Sequence, residues 1–263
     1  MFRSLYTAAS GMEAQDLSLD NIANNLANAN TAGFRTRRLQ FQDMLYQNLV
    51  TPGAPATQQT IIPSGLQIGL GARSAATEVI QQQGNFDFTG NQLDLAIQGA
   101  GFFQILLPTG EIAYTRSGNF HLDNVGNVVT ADGNPLQPAI TVPADALTIT
   151  VGSDGTVSVT APNQQQPTQI GSIQLALFQN PGGLNSVGQN LLLSSGASGD
   201  PILGTPGGAE GVGSLQQGAV EESNVNVVQE FVNMILAQRS YEANSRVVKA
   251  ADEMFQTLNG LTT

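Results

Sequence analysis

The chain has few side chains that could carry out catalysis. It contains no cysteine and a single histidine, His121, so thiolate nucleophiles, iron–sulfur clusters and histidine-rich or cysteine-based metal sites are excluded. His121 lies in the strand-like segment NFHLD, where it alternates with Phe120 and Leu122. This pattern favours a structural or surface histidine over a general base. We therefore expect no catalytic residue, no cofactor and no metal site.

Other short motifs match binding or catalytic signatures only in part. Gly99 and Gly101 form a GxG, but a glutamine stands where the dinucleotide fingerprint needs its third glycine, and no helical pattern follows. Asp123, Asp132 and Asp154 lie at predicted turns, where an aspartate bonds its own backbone. A glycoside hydrolase needs a pair of carboxylates, and the sequence singles out no such pair.

The composition limits the class of partner. Charged residues make up 11% of the 263 residues and the net charge is −11, whereas typical soluble proteins contain about 25% charged residues. Proteins that bind nucleic acid neutralise phosphates with lysine and arginine, so a nucleic-acid partner is not expected. The chain has no long apolar run and no signal-peptide pattern at its N-terminus, so we expect neither membrane insertion nor a cleavable signal.

Charge and periodicity divide the chain into three zones. Residues 1–38 carry a net charge of +1, residues 39–226 carry −11 and residues 227–263 carry −1. Both ends have helical spacing, while the middle has short β-rich segments separated by turn signals. The predicted fold class is α+β, with N- and C-terminal helices that pair as a coiled coil and a mainly antiparallel β middle domain.

The N-terminal zone predicts a helix that ends near Asn30, with Gly33 as a left-handed cap. Its apolar residues recur every seven positions, as in a coiled coil. They are Leu5, Met12, Leu19 and Leu26, with Ala8, Gln15, Ile22 and Ala29 three positions further on. Another face carries asparagines at helical spacing, namely Asn21, Asn24, Asn25 and Asn28. Spacing alone leaves open whether this face is solvated or its amides pair with a packed neighbour.

The C-terminal zone predicts the longest helix, from about Asn226 to Leu258, with Ser223 or Asn224 as the N-cap. Its apolar residues are again seven apart: Val227, Met234, Tyr241, Val248 and Phe255, supported by Phe231, Ile235, Ala237, Ala251 and Leu258. Apolar helix faces left in water are association sites. We therefore expect the two helices to pair and the rest of their surfaces to meet other copies of the chain.

The middle zone predicts short strands at residues 93–98, 102–107, 127–130, 147–151, 156–160 and 173–178. No helical pattern occurs between residues 90 and 180, so an antiparallel sandwich or partly open barrel is favoured over a parallel sheet. Two stretches rich in proline and glycine, 50–71 and 194–218, are predicted to be extended or irregular connections.

Together these patterns predict a self-assembling protein. Contacts between different patches on neighbouring copies close into rings or continue as helical filaments. The predicted subunit-interface residues lie on the two helices: Leu5, Met12, Leu19, Ile22, Asn24, Asn25, Leu26, Val227, Phe231, Met234, Tyr241, Val248 and Phe255.

Both ends of the chain resemble one protein family. The segment NIANNLANANTAGFRTRRLQFQDMLYQ (21–47) is similar to the N-terminal signature of bacterial flagellar rod and hook proteins, and EESNVNVVQEFVNMILAQRSYEANSRVVKAADEM (221–254) resembles their C-terminal signature. The connection at 46–78 and the 263-residue length resemble the distal-rod members of the family.

The resemblance implies a structural subunit of the distal rod in the bacterial flagellar basal body, which assembles with itself into a hollow, rigid drive shaft that transmits torque from motor to hook. It also implies type III export without a cleavable signal peptide and a periplasmic location. The implied partners are proximal rod and hook subunits, the periplasmic and outer-membrane ring proteins, and the flagellar export apparatus.

The resemblance further implies three domains: 1–35 with 225–263 as a helical coiled-coil assembly domain, 36–75 as an extended bracing segment, and 76–224 as an outer β domain. Two alternatives are a flagellar hook or proximal-rod subunit and a β-domain hydrolase that acts on peptidoglycan.

Overall fold

The computed structural model describes residues 2–53, 63–162, 166–208 and 211–261. Helix α1 spans Phe2–Ala27 and helix α2 spans Val227–Leu261, and the strands lie between them. The strands are β1 Arg37–Asp43, β2 Tyr46–Val50, β3 Leu66–Gly69, β4 Ala72–Val79, β5 Phe86–Phe88, β6 Leu95–Gln98, β7 Phe102–Leu106, β8 Ile112–Thr115, β9 His121–Leu122, β10 Val128–Val129, β11 Leu136–Gln137, β12 Thr148–Val151, β13 Thr156–Thr160, β14 Thr168–Ser172, β15 Leu175–Leu177, β16 Asn185–Gly188, β17 Leu191–Leu193, β18 Ile202–Gly204, β19 Ser214–Gln217 and β20 Ala219–Glu221. This order confirms the predicted terminal helices and β middle.

The chain divides into two compact units. The helical unit contains Met1–Ala27, Arg37–Glu78 and Asn226–Thr263. The β unit contains Asn28–Thr36 and Val79–Val225. The predicted three-domain division, with a separate bracing segment at 36–75, stays a prediction.

In the helical unit α1 and α2 pack against each other, and β1 packs against α1. Strands β1 and β4 pair, and β2 pairs with β3 in antiparallel register. Strand β2 follows β1 along the chain and β4 follows β3, so the two pairs together form a two-stranded structure, here called the ribbon. The stretch 50–71, predicted to be extended or irregular, therefore contributes a hydrogen-bonded strand, and its residues 54–62 lie outside the described residues.

Both helix ends differ from the prediction. Helix α1 ends at Ala27 rather than near Asn30, because a turn follows in which Thr31 bonds both the carbonyl and the side chain of Asn28. Gly33 has a φ of +71° but lies beyond this turn, so it does not cap the helix. A Cβ there would meet the backbone nitrogen of Ser117 at 2.7 Å.

The N-cap of α2 is Asn226, whose Oδ1 accepts the Gln229 N–H at 3.1 Å. The prediction of Ser223 or Asn224 as the cap is wrong. The side chain of Asn224 instead accepts from the Thr36 backbone at 2.7 Å and donates to the Ile80 carbonyl at 3.0 Å. Asn224 therefore joins backbone segments inside the β unit.

The β unit is built on a seven-stranded sheet with the order β16-β17-β8-β7-β15-β18, in which β11 also pairs with β7. Smaller groups are β12-β13-β14, β19-β6, β20-β5 and β10-β9. The registered pairs among the described residues are antiparallel, as predicted. The six predicted strands are present, but the stretch 194–218, predicted to be a connection, contains β18 and β19; residues 209–210 lie outside the described residues.

Two apolar clusters bury both faces of strand β7. Phe103 packs edge-on against Phe120 at 5.1 Å in the larger cluster, whereas Phe102 contacts Phe178 in the smaller one. Successive side chains of a strand point to opposite faces, so adjacent phenylalanines serve different clusters. The larger cluster includes Leu95, Ile97, Ile105, Leu136, Ile140, Val157, Val159, Ile173 and Leu175.

Candidate assembly surface

The side of α1 that carries the seven-residue pattern is the packed side of the helix. Ala8 and Ile22 are buried, and the predicted interface residues Leu5, Met12, Leu19 and Leu26 are partly buried. Gly11 lies on the same helix, and a Cβ there would be 2.8 Å from Nδ2 of Asn244 on α2. A glycine costs a helix about 1 kcal/mol relative to alanine, and here it allows a close approach of the two helices.

On α2 the predicted residues are divided between two environments. Met234, Val248 and Phe255 are partly buried, beside the buried Glu230, Ala237 and Ala251. Val227, Phe231 and Tyr241 are exposed in the single chain. One heptad pattern of α2 therefore reaches both environments. The role of these residues in subunit contacts stays a prediction.

The asparagine face of α1 is partly a packing face. Asn25 is 1% exposed, and its Nδ2 donates to the carbonyl of Arg37 at 2.8 Å and to Oε2 of Glu230 at 3.3 Å. Its Oδ1 accepts the Arg37 N–H at 3.0 Å. Asn21 donates to the same carbonyl at 2.7 Å. Of the two alternatives left open by the spacing, pairing with packed neighbours therefore holds for Asn21 and Asn25, while Asn24 is exposed.

An apolar patch covers the first turns of α2 on the side opposite Glu230 and Ala237. This outer patch consists of Val228, Phe231, Val232, Ile235 and Leu236, and Val228 is 73% exposed. Their spacing of three, four and seven residues places them on one face of a helix. Further along the same helix charged residues are exposed beside Tyr241, Val247 and Met254. These charged residues are Arg239, Glu242, Arg246, Lys249 and Glu253.

The ribbon exposes large apolar side chains along its length. They are Phe41, Met44, Leu45, Tyr46, Leu49, Leu66, Ile68 and Leu70, and Leu45 is 85% exposed. Across the ribbon Arg38 pairs with Glu78 at 3.0 Å. The hydrogen bond from Arg38 lowers the pKa of Glu78 below its ordinary value, and the bond from Gln40 acts in the same direction. A two-stranded ribbon is at best marginally stable in water. Its stability therefore requires another surface that buries these apolar side chains.

The β unit contains a buried ionic cluster at the junction of three chain segments. Glu221 accepts hydrogen bonds from Nε of Arg116 at 2.6 Å, Nη1 of Arg35 at 2.7 Å and the Gly84 N–H at 2.9 Å. All three charged side chains are at least nine-tenths buried. Burial lowers the pKa of Arg116, and the charge of Glu221 opposes that shift.

The rest of the Arg116 guanidinium holds the backbone around the GxG motif. It donates to the carbonyls of Gly101 at 2.5 Å, Ile97 at 3.1 Å and Gly99 at 2.6 Å. Gly99 and Gly101 have φ of +108° and +137°, so this loop needs residues without a Cβ. Sequence reasoning found no role for Arg116 or Glu221, because their partners are distant in the chain.

Three family models match separate parts of the chain. The flagella basal body rod protein model matches residues 5–35, the flagellar hook protein FlgE/F/G D1 domain matches residues 96–159, and the flagellar basal body rod FlgEFG protein C-terminal model matches residues 216–261. The first and last of these models contain most of α1 and α2.

The chain is also similar over its whole length to proteins named flagellar basal-body rod protein FlgG. It is 47% identical over 261 residues to the one from Buchnera aphidicola subsp. Schizaphis graminum, covering 99% of this chain and 100% of the relative. This chain belongs to the flagellar basal-body rod protein family. The rod proteins of Caulobacter vibrioides and Bacillus subtilis are 46% and 41% identical, and each alignment covers at least 98% of both chains.

Membership of the rod family identifies a structural protein and not an enzyme. His121 lies exposed on β9, and Asp123 and Asp154 bond backbone N–H groups of their own turns at 2.8 Å and 3.1 Å, as predicted. The described residues contain no group of three or more potential metal ligands. Neither helix, over the residues described, is long and apolar enough to cross a membrane.

Proposed function

We propose that this rod-family chain is a structural subunit of the flagellar distal rod and that its copies assemble helically into a hollow, rigid shaft that carries torque from motor to hook. One observation carries the proposal: the outer patch of α2 and the ribbon leave many large apolar side chains in water in the single chain. Contiguous exposed apolar surfaces mark interaction sites. The occupant that fits a self-assembling rod is another copy of the chain.

The energetics favour assembly through the outer patch. Burying one valine, leucine, isoleucine or phenylalanine side chain stabilises a complex by roughly 1.5–3 kcal/mol. The outer patch has five such apolar residues, and the two helical ends carry little net charge, so crowded ends repel each other weakly. A patch that meets a different surface on the next copy produces an open helical array.

The predicted interface residues then have two kinds of role. Ile22 and Asn25 are buried in the single chain and shape α1, whereas Val227, Phe231 and Tyr241 are exposed and meet a neighbour. Leu5, Met12, Leu19, Leu26, Met234, Val248 and Phe255 extend the packed side of the helix pair, and Asn24 lies at its edge. In the assembly α1 and α2 pair as a coiled coil, the ribbon braces neighbouring copies, and the β unit faces outward.

The same proposal includes the location and partners. The subunit lies in the periplasmic part of the basal body, is exported without a cleavable signal, joins proximal rod to hook and turns inside the ring proteins. The flagellar export apparatus delivers it. The names of its relatives support a basal-body rod component.

Electron microscopy of the concentrated, purified chain tests the proposal. We expect straight, hollow filaments, because the ribbon and outer patch of each copy are covered by the next. Curved filaments would indicate a hook subunit instead. A protein that stays monomeric at millimolar concentration would contradict self-assembly.

A further inference from the structure

We propose that Asn25 and Glu230 are positioning residues that hold Arg37, the first residue of the ribbon, on the pair of helices. Shear force that acts on the ribbon is then transmitted to the helices. This inference rests on the proposed assembly. It concerns three elements that meet at one place in the helical unit: α1 through Asn25, α2 through Glu230, and the first residue of β1, Arg37.

The side chain of Asn25 acts on Arg37 as a neighbouring strand would. Its Oδ1 accepts the Arg37 N–H at 3.0 Å, and its Nδ2 donates to the Arg37 carbonyl at 2.8 Å. Paired strands exchange the same two hydrogen bonds. The N–H and the carbonyl of Arg37 are thus both bonded to a side chain of α1. This fixes the start of β1 at one position along that helix.

Glu230 favours the same orientation of the Asn25 amide that the Arg37 backbone requires. An ionised carboxylate only accepts hydrogen bonds, so the Asn25 Nδ2 faces Glu230 Oε2, at 3.3 Å. The amide oxygen is then left for the Arg37 N–H. Glu230 is itself buried, and Nδ2 of Asn233 donates to its other oxygen at 3.4 Å. A contact between α1 and α2 therefore supports the orientation in which Asn25 holds β1.

The chain offers a charge-conserving exchange that tests this arrangement. Asn25→Asp alone places two carboxylates side by side in a buried site, which strongly disfavours the packed state. Asn25→Asp with Glu230→Gln restores one acid and one amide in exchanged positions. The carboxylate introduced on α1 can still accept the Arg37 N–H, and Asn21 still donates to the Arg37 carbonyl at 2.7 Å.

The experiment measures the lowest protein concentration at which the full-length chain forms filaments, by sedimentation and electron microscopy. N25D should raise this concentration about tenfold or more. The matched control is N30D, at an exposed asparagine in the turn after α1, and it should stay within about twofold of the unmodified chain. N25D/E230Q should return to within about threefold of it, since the buried charge again has a donor. Thermal unfolding followed by circular dichroism should be the same for the β unit of every variant.

Each outcome has a distinct meaning. If the unmodified chain forms no filaments, the proposed function fails and this inference fails with it. If the unmodified chain polymerises and N25D does so as readily as N30D, the positioning role of Asn25 is wrong. If N25D assembles poorly and N25D/E230Q assembles no better, the proposed coupling of Asn25 to Glu230 is wrong. An assembly defect in N25D that is relieved in N25D/E230Q supports the inference. Hydrogen exchange of peptide 36–43 in filaments should then be fastest in N25D.

Discussion

The guanidinium of Arg116 and the carboxylate of Glu221 form a buried ion pair at 2.6 Å between residues 105 positions apart in the sequence. Glu221 ends β20, the last strand before α2. Arg35 pairs with the other oxygen of the same carboxylate at 2.7 Å and also donates to the carbonyl of Gln82. The segments that enter and leave the β unit are therefore joined to each other by one buried anion.

Loss of Arg116 should destabilise the β unit far more than loss of an exposed arginine. Arg116→Met leaves Glu221 with one cationic partner and removes the donor to three backbone carbonyls. Removing one partner of a buried pair costs about 3–5 kcal/mol. The matched control is Arg38→Met, which breaks the exposed pair with Glu78 and should change the urea midpoint little, because solvent screens an exposed pair. Urea unfolding measures both, and equal losses would contradict the structural role of the cluster.

Gly118 should not tolerate alanine. A Cβ at this buried position would overlap the backbone carbonyl of Leu95 and come within 3.3 Å of the Phe103 ring. Overpacking of this kind costs about 1–3 kcal/mol or more. At Gly196 an added methyl group would have no atom within 4 Å, and its φ is not positive, so Gly196→Ala is the control and should change the unfolding free energy by about 0.5 kcal/mol at most. A Gly118→Ala chain as stable as the control would show that the turn relaxes.

Asp123 should titrate below its ordinary range, because the hydrogen bond from the Asn127 side chain is the largest cause of a lowered pKa, followed by the bond from the Asn127 backbone. A lowered folded-state pKa stabilises the fold above the ordinary pKa of aspartate, and this contribution is lost as the pH falls through the folded-state value. Asn127→Ala should raise the pKa of Asp123, so the contribution is lost earlier on acidification.

Carboxyl NMR titration of the full chain measures this shift. Asp154 serves as the internal control, because its lowered pKa arises from hydrogen bonds to Thr156. Its titration should be unchanged by Asn127→Ala. A variant in which Asp123 keeps its pKa would exclude the Asn127 side chain as the main cause.

A charge in the outer patch should abolish assembly without unfolding the single chain. Ile235 is 56% exposed, so Ile235→Asp removes little packing within the chain but places a carboxylate where a neighbour's apolar surface must bind. Ala250→Asp introduces the same group on the exposed, charged part of α2 and should leave filament formation intact. Sedimentation measures assembly and circular dichroism measures folding. If Ile235→Asp formed filaments at the normal concentration, the outer patch would not be the subunit interface.

Local patterns predicted the parts of the fold that depend on local geometry. Helical periodicity located α1 and α2, and β-rich segments separated by turn signals located the six predicted strands, because both signals repeat over a few residues. The ends of the helices were less accurate. Asn28 with Thr31 formed a turn earlier than expected, and Asn226 rather than Ser223 or Asn224 capped α2, since several nearby residues could have made either contact.

The sequence by itself determined the class of the protein: helical ends, an acidic β middle, too few reactive side chains for an enzyme, and a family resemblance that the full-length identity to flagellar rod proteins confirmed. Only the tertiary structure decided which polar residues are structural. Asn25 reaches Glu230 across 205 positions and Arg116 reaches Glu221 across 105, and β2 pairs with β3 although a proline- and glycine-rich stretch of sequence separates them. These contacts join residues that are far apart along the chain, so no local spacing marks them, and the free energy of packing selects them only when the whole chain is folded.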